Sequence, residues 1–255
     1  MKITSLFIMA AMTYSCSAKK IAVSSADFIL ENQIEKRLPL YADQKESLSK
    51  DVDKFLNDQK VYTKELISVI TDIELDVKKI DLQYDHLQEL YKKIAFNFSD
   101  LMSKYMSVLD EKQQKDFNRI LKEENHKLAG KKNEVLDKTK ENFERLLGNL
   151  KTNQEKILES YKNHLLQRYE LRLKRRQALH DRFAEILNME LSKDGKTKYL
   201  SEAFKEYVNT YPDHPMNKEI IKKLIPTLSL AQKETFESKI KEVKEIINYY
   251  IEANY

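Results

Sequence analysis

Arg168, Arg172, Lys174, Arg175 and Arg176 crowd one short stretch of the chain. Guanidinium groups at that density suit planar, bidentate recognition of carboxylate or phosphate oxygens. The same stretch carries an apolar stripe through Leu158, Tyr161, Leu165, Tyr169, Leu173, Phe183 and Leu187 when plotted at helical periodicity. Arg172 and Arg176 fall inside that stripe, not opposite it. Arg is seldom buried without a partner, so two readings stand. In one, these groups pair with an acid on a neighbouring helix, or lay their stems over an apolar groove. In the other, Arg168, Arg172, Arg175 and Arg176 line a cleft for an anionic headgroup, a glycan or an acidic peptide. Lys174 and Arg175 are also accounted for by simple solvation.

Other chemistry finds little to stand on. His86, His126, His164, His180 and His214 form no His-Glu-x-x-His pattern and no paired spacing with carboxylates, whereas zinc needs convergent ligands. Three glycines cannot build a phosphate-cradling loop, and no Ser sits in a Gly-x-Ser-x-Gly elbow. The sequence therefore predicts no catalytic residue, metal site or cofactor. The 45 basic and 41 acidic residues nearly cancel, which fits solvated helix faces and not a nucleic-acid footprint.

The single cysteine, Cys16, belongs to the first segment. Met1-Lys2 is a short positive start, Ile3 to Met12 is an apolar run, and Thr13-Tyr14-Ser15-Cys16 follows. This is the layout of a secretory signal, too short to span a hydrocarbon core about 30 Å thick. It resembles a bacterial lipoprotein signal, in which a small residue precedes the cut and Cys becomes the lipid-bearing N-terminus. Ser15 and Cys16 match that pattern. An ordinary signal cut after Ala18 would instead discard Cys16. The resemblance implies residues 1–15 as signal peptide and 16–25 as lipid-bearing Cys plus tether, holding the body within roughly 30 Å of a bilayer at about 3.3 Å per residue. It implies a bacterial cell envelope, with the periplasmic side of the outer membrane favoured by Ser17. A soluble periplasmic or secreted protein is the alternative.

Helices must position whatever site exists. With 3 Gly, 4 Pro and 34% charged residues, turn chemistry is scarce and helix formers dominate. Leu48, Val52, Phe55, Tyr62, Leu66, Val69 and Ile73 recur in four-three steps if Gln59 counts as a polar member. Ile80, Tyr84, Leu87, Tyr91, Ile94, Phe98, Leu101, Tyr105 and Val108 do so without a break, as in a heptad seam. Between the two runs the register slips, through either a hairpin or a helix irregularity. A helix from Asp110 should reach Gly148, and another should run from Thr152 to Leu187. Ser192-Lys193-Asp194-Gly195-Lys196 and Tyr211-Pro212-Asp213-His214-Pro215 read as loops. Shorter helices are expected near residues 201–210, 216–225 and 230–254. The expected fold is all-α, an elongated bundle of long helices with heptad-like seams and shorter C-terminal helices. It would form one domain over residues 26–255, with a candidate subdivision near 188–200.

Leu-x-x-x-Gln followed four residues later by a large apolar residue (Leu48, Phe117, Leu158 or Phe236) occurs four times, at Gln44, Gln113, Gln154 and Gln232. Asp110 and Ser229 stand three residues before their Gln, the spacing of a capping box. Tyr41 and Lys151 replace the capping residue in the other copies, and unequal intervals exclude a tandem repeat. Leu147-Gly148-Asn149-Leu150-Lys151-Thr152-Asn153-Gln154 and Leu38-Pro39-Leu40-Tyr41 resemble an uncharacterised all-helical bacterial lipoprotein family, which carries a Leu-Pro-x-Tyr segment and Leu-Thr-x-x-Gln-like helix starts. That family's frequent Trp is missing. The helix starts are locally similar to the Spy-like periplasmic chaperones. The resemblance implies a lipid-anchored, non-catalytic envelope protein that binds a protein, glycan or lipid-headgroup partner. A chaperone of unfolded envelope proteins is the rival reading.

Overall fold

The computed structural model describes residues 25–210 and 215–253, and among them every regular element is helical. Residues 1–24, with Cys16 and the expected signal, lie outside the described residues, as do residues 211–214, with His214 and most of the expected loop from Tyr211. The order is α1 (Ala26–Glu35), α2 (Ala42–Thr71), α3 (Ile80–Met106), α4 (Glu111–Ala129) and α5 (Val135–Leu147). There follow α6 (Thr152–Ser160), α7 (Lys162–Asn188), α8 (Lys193–Asn209), α9 (Pro215–Leu224) and α10 (Leu230–Glu252). Short 3-10 turns at Lys132–Glu134 and Ile225–Thr227 join α4 to α5 and precede α10.

The register slip after Ile73 is a hairpin. Partners step down α2 as they step up α3: Asp51 with Lys104, Gln59 with Asn97, Glu65 with Lys93. Phe55 meets Phe98 edge-on at 5.9 Å between ring centroids, a favoured aromatic geometry. Phe98, Leu101 and Tyr105 are buried as the seam requires, and Gln59 is buried as its polar member. Tyr84, Leu87, Tyr91 and Ile94 are only half-buried. The reason is a second neighbour. Ala95, Ser99 and Ser103 make a stripe of small side chains on α3, both serines fully buried, and α8 packs there more extensively than any other helix pair. Close approach across small residues lets α3 be covered on two sides, which a two-helix seam does not describe.

Three boundaries differ from the sequence expectation. The helix expected from Asp110 to Gly148 breaks at Gly130 and the 3-10 turn, separating α4 from α5. The helix expected from Thr152 is interrupted at Tyr161, whose ring is buried in a cluster with Leu158, Leu165, Ile220 and Leu224. Ser192–Lys196 is not a loop. Ser192 caps α8 by accepting the Gly195 N–H, so its polar residues form the first turn. Gly148 does close α5, at φ 77° and ψ −166°, a region that side-chain-bearing residues avoid.

The four glutamines meet in pairs. Each Gln Oε1 accepts the N–H three residues earlier, from Tyr41, Asp110, Lys151 or Ser229. Gln113 Nε2 donates to Gln44 Oε1 at 2.7 Å and to the Pro39 carbonyl, while Gln44 reaches the Val108 carbonyl. Gln154 and Gln232 donate to each other at 3.0 and 2.9 Å, and to the Thr227 and Asn149 carbonyls. Each pair thus joins two helix starts, reciprocally in the case of Gln154 and Gln232, across 69 residues in one case and 78 in the other. The unequal spacing of four copies resolves into two similar spans.

Candidate functional site

The second glutamine pair fixes a pocket. Gln154 and Gln232 hold the Asn149–Lys151 turn against the Thr227–Ser229 turn. From these turns α5 runs back toward Phe143, the 3-10 turn leads back to α9, and α10 sets out toward Val243. Opposite them stands the tip of the α2–α3 hairpin. The space enclosed has a volume of about 300 Å³ and opens to solvent on one side. Ile70 at the end of α2, Ile73 just beyond it, and Ile80 and Leu87 on α3 form one wall. Phe143 and Leu146, Ile221 and Leu224, and Phe236 and Val243 form the others. The surface facing the space is almost wholly hydrocarbon.

Polar groups gather at the edge. Glu74 lines the pocket and pairs with Lys79 at 2.6 Å; Gln83 donates to the Asp72 carbonyl at 2.8 Å. The Tyr84 hydroxyl accepts from Asn217 Nδ2 at 3.1 Å, and Arg168 Nη1 donates to the Asn217 Oδ1. Lys218 lies 5.2 Å from the centre of the Tyr84 ring and pairs with Asp85; Lys222 pairs with Asp81 at 2.7 Å. Arg168 therefore stands two side chains behind the pocket wall.

The other arginines are distributed between different neighbours. Arg176 pairs with Glu124 on α4 and donates through Nε to Asn125 Oδ1 at 2.6 Å. Its place in the apolar stripe is thus matched by an acid on another helix. Arg37 reaches the same carboxylate at 3.1 Å, so Glu124 serves two guanidinium groups. Arg175 donates to the Tyr207 carbonyl at 2.6 Å and to Thr210 Oγ1 at 3.0 Å, and stacks 4.9 Å from the Tyr207 ring. Arg172 is half-buried beside Tyr169, whose pKa is raised by burial while the Arg172 charge opposes the shift. Among the described residues no carboxylate lies in salt-bridge range of Arg172. The four arginines do not converge on one cleft.

Beside Arg176, the His180 ring faces Asn125 Nδ2 at 3.0 Å from its Nδ1. Asn125 Nδ2 also donates to Gln177, which makes the His180 nitrogen an acceptor and the ring neutral. Burial, with the adjacent Arg176 charge, lowers its pKa from 6.5 to about 4. This network borders a cavity of only about 60 Å³. Among the described residues no cluster of His, Cys, Asp or Glu is arranged to hold a metal ion, and no helix is long and apolar enough to cross a membrane.

The pocket is not visible in the sequence. Its lining comes from four separated stretches, and each apolar residue carries the same periodicity as its core-facing neighbours. The one usable signal is the recurring Gln, which marks the turns from which three walls depart. No family model, curated protein or solved structure matches this chain. The resemblance to the helical lipoproteins rests on the Leu38-Pro39-Leu40-Tyr41 segment, the Gln-bearing helix starts and the Ser15-Cys16 signal alone.

Proposed function

We propose that this chain is a non-catalytic, lipid-anchored protein of a bacterial envelope whose helical body binds a partner, with the pocket between α3, α5, α9 and α10 as its binding seat. The observation that carries the binding reading is the 300 Å³ hydrocarbon-lined space, within the range of small-molecule sites. The anchor is supported by Ser15-Cys16 after the apolar run. The anionic-partner reading of the arginines now rests mainly on Arg172, because Arg168, Arg175 and Arg176 are engaged with neighbouring helices.

A Spy-like holding surface would need apolar side chains gathered on one open face. Phe28, Val61, Leu82, Leu171 and Leu230 are exposed, each on a different helix. The test is recovery of the protein from envelopes under non-denaturing conditions, followed by solvent extraction and mass spectrometry. A stoichiometric small molecule supports the reading; repeated recovery without one overturns it. Fatty-acid labelling of the wild type, absent in Cys16→Ser, checks the anchor.

A further inference from the structure

We propose that the pocket takes the hydrocarbon tail of a single-chain amphiphile of about ten carbons, supplied from outside the protein, with its polar head left at the mouth. This rests on the reading of the pocket as the binding seat and names the ligand class. Three observations carry it: the lining, the size, and the charge of the mouth.

The lining dictates what enters. Ile73, Leu87, Ile221 and Val243 present only carbon to the space. A polar group placed there would leave water without finding a replacement hydrogen bond. The occupied part of the ligand is therefore hydrocarbon. The opening on one side lets a head remain in solvent, so the tail enters end-on. The size sets its length. An apolar cavity of roughly 150 Å³ stays dry and accepts a benzene ring; this one is twice as large, at about 300 Å³. Scaled from the six carbons of that benzene, the space holds a tail of roughly ten carbons.

The mouth shows no preference for a charged head. Glu74, the one charged residue of the lining, is matched by Lys79. Gln83 and Tyr84, the uncharged groups there, already hold one hydrogen bond each and keep further capacity. A hydroxyl or similar neutral head suits these neighbours at least as well as a carboxylate, which would approach the Glu74 carboxylate.

The experiment is displacement of the uncharged fluorescent amine N-phenyl-1-naphthylamine from the full chain by straight-chain alcohols of six to sixteen carbons. Competition should tighten roughly fourfold per added methylene up to about ten carbons and then level off. 1-Decanol should compete at least as well as decanoate. Leu87→Trp, which fills the space, should weaken probe binding more than tenfold with helix content unchanged by circular dichroism. Ile221→Phe is the second filling variant and should act in the same direction if Leu87→Trp fails to fold. Probe binding unaffected by either folded filling variant overturns the proposal. So does an affinity that climbs unbroken to sixteen carbons, or a tenfold preference for decanoate. Extraction from envelopes separates the two levels of the reading. A bound molecule of another class would keep the binding function and discard the single chain. A levelling-off near ten carbons with nothing bound in envelopes would keep the pocket chemistry and discard the function.

Discussion

Gln154 is fully buried and Gln232 nearly so, and between them every amide atom is used. Replacing Gln154 by Ala removes the partner of the Lys151 N–H and of the Thr227 carbonyl, and one bond from each end of the Gln232 amide, at about 1–3 kcal/mol per orphaned group. Gln154→Ala should therefore lower stability by at least about 2 kcal/mol in urea unfolding, and the Gln154/Gln232 double variant should cost less than the two singles summed. Arg176 shows the same asymmetry with charge. Glu124→Ala would strand both Arg37 and Arg176, whereas Arg176→Met leaves Glu124 paired with Arg37. Denaturant titrations should find Glu124→Ala the more destabilising by at least about 1 kcal/mol. His180 adds a pH dependence. Burial first, and Arg176 second, hold its folded pKa at about 4 against 6.5, with Glu124 and Asp181 opposing. Between those values the unfolded chain takes up a proton that the folded chain refuses, so stability falls as pH drops from about 6.5 towards 4, by about 3 kcal/mol in all. His180→Gln should flatten the slope of stability against pH between 6.5 and 5; an unchanged slope would assign it to other groups. Helical angle places both Arg172 and Arg176 among apolar residues, and of the two Arg176 is the one with an acid partner among the described residues. Which acid, and that Arg37 shares it, depends on packing that no local pattern encodes.

Among the elements, the all-helical composition is legible because Gly and Pro are so rare, while Gly195 inside α8 and the breaks at Gly130 and Tyr161 show that boundaries are less so. Gly148 does mark an end. A Cβ there meets nothing closer than 3.9 Å, so space is not the obstacle; the backbone at φ 77° is. Gly148→Ala should cost about 1–3 kcal/mol through strain, measured by thermal unfolding. The α3 seam is legible as spacing but not as environment. Four-three periodicity finds one face, while Ala95, Ser99 and Ser103 make a second face that only the arrival of α8 reveals. Phe98, 4% exposed and packed on Phe55, belongs to the main core. Phe98→Ala should cost about 3–5 kcal/mol, and a loss below about 1 kcal/mol would remove Phe98 from that core. Ser192–Lys196 reads as a loop because its residues favour both turns and helix starts; the Ser192 cap decides between them.

At the scale of the whole molecule, two glutamine-joined spans share one helical body, and the second span differs from the first by holding a cavity at its end. The cavity arises because the hairpin tip and the walls from α5, α9 and α10 meet around a space that their side chains do not fill. Chain order does not predict that meeting, and composition cannot distinguish an apolar residue facing a cavity from one facing a neighbour. The functional reading stands or falls on whether this space binds a hydrocarbon tail. Methyl-resolved NMR of Ile, Leu and Val side chains during titration with 1-decanol decides it. The predicted result is saturable shifts confined to methyls such as those of Ile73, Leu87, Ile221 and Val243, with the α3–α8 interface unmoved. Shifts spread over surface methyls, or none at the pocket up to the solubility limit of the alcohol, would contradict it.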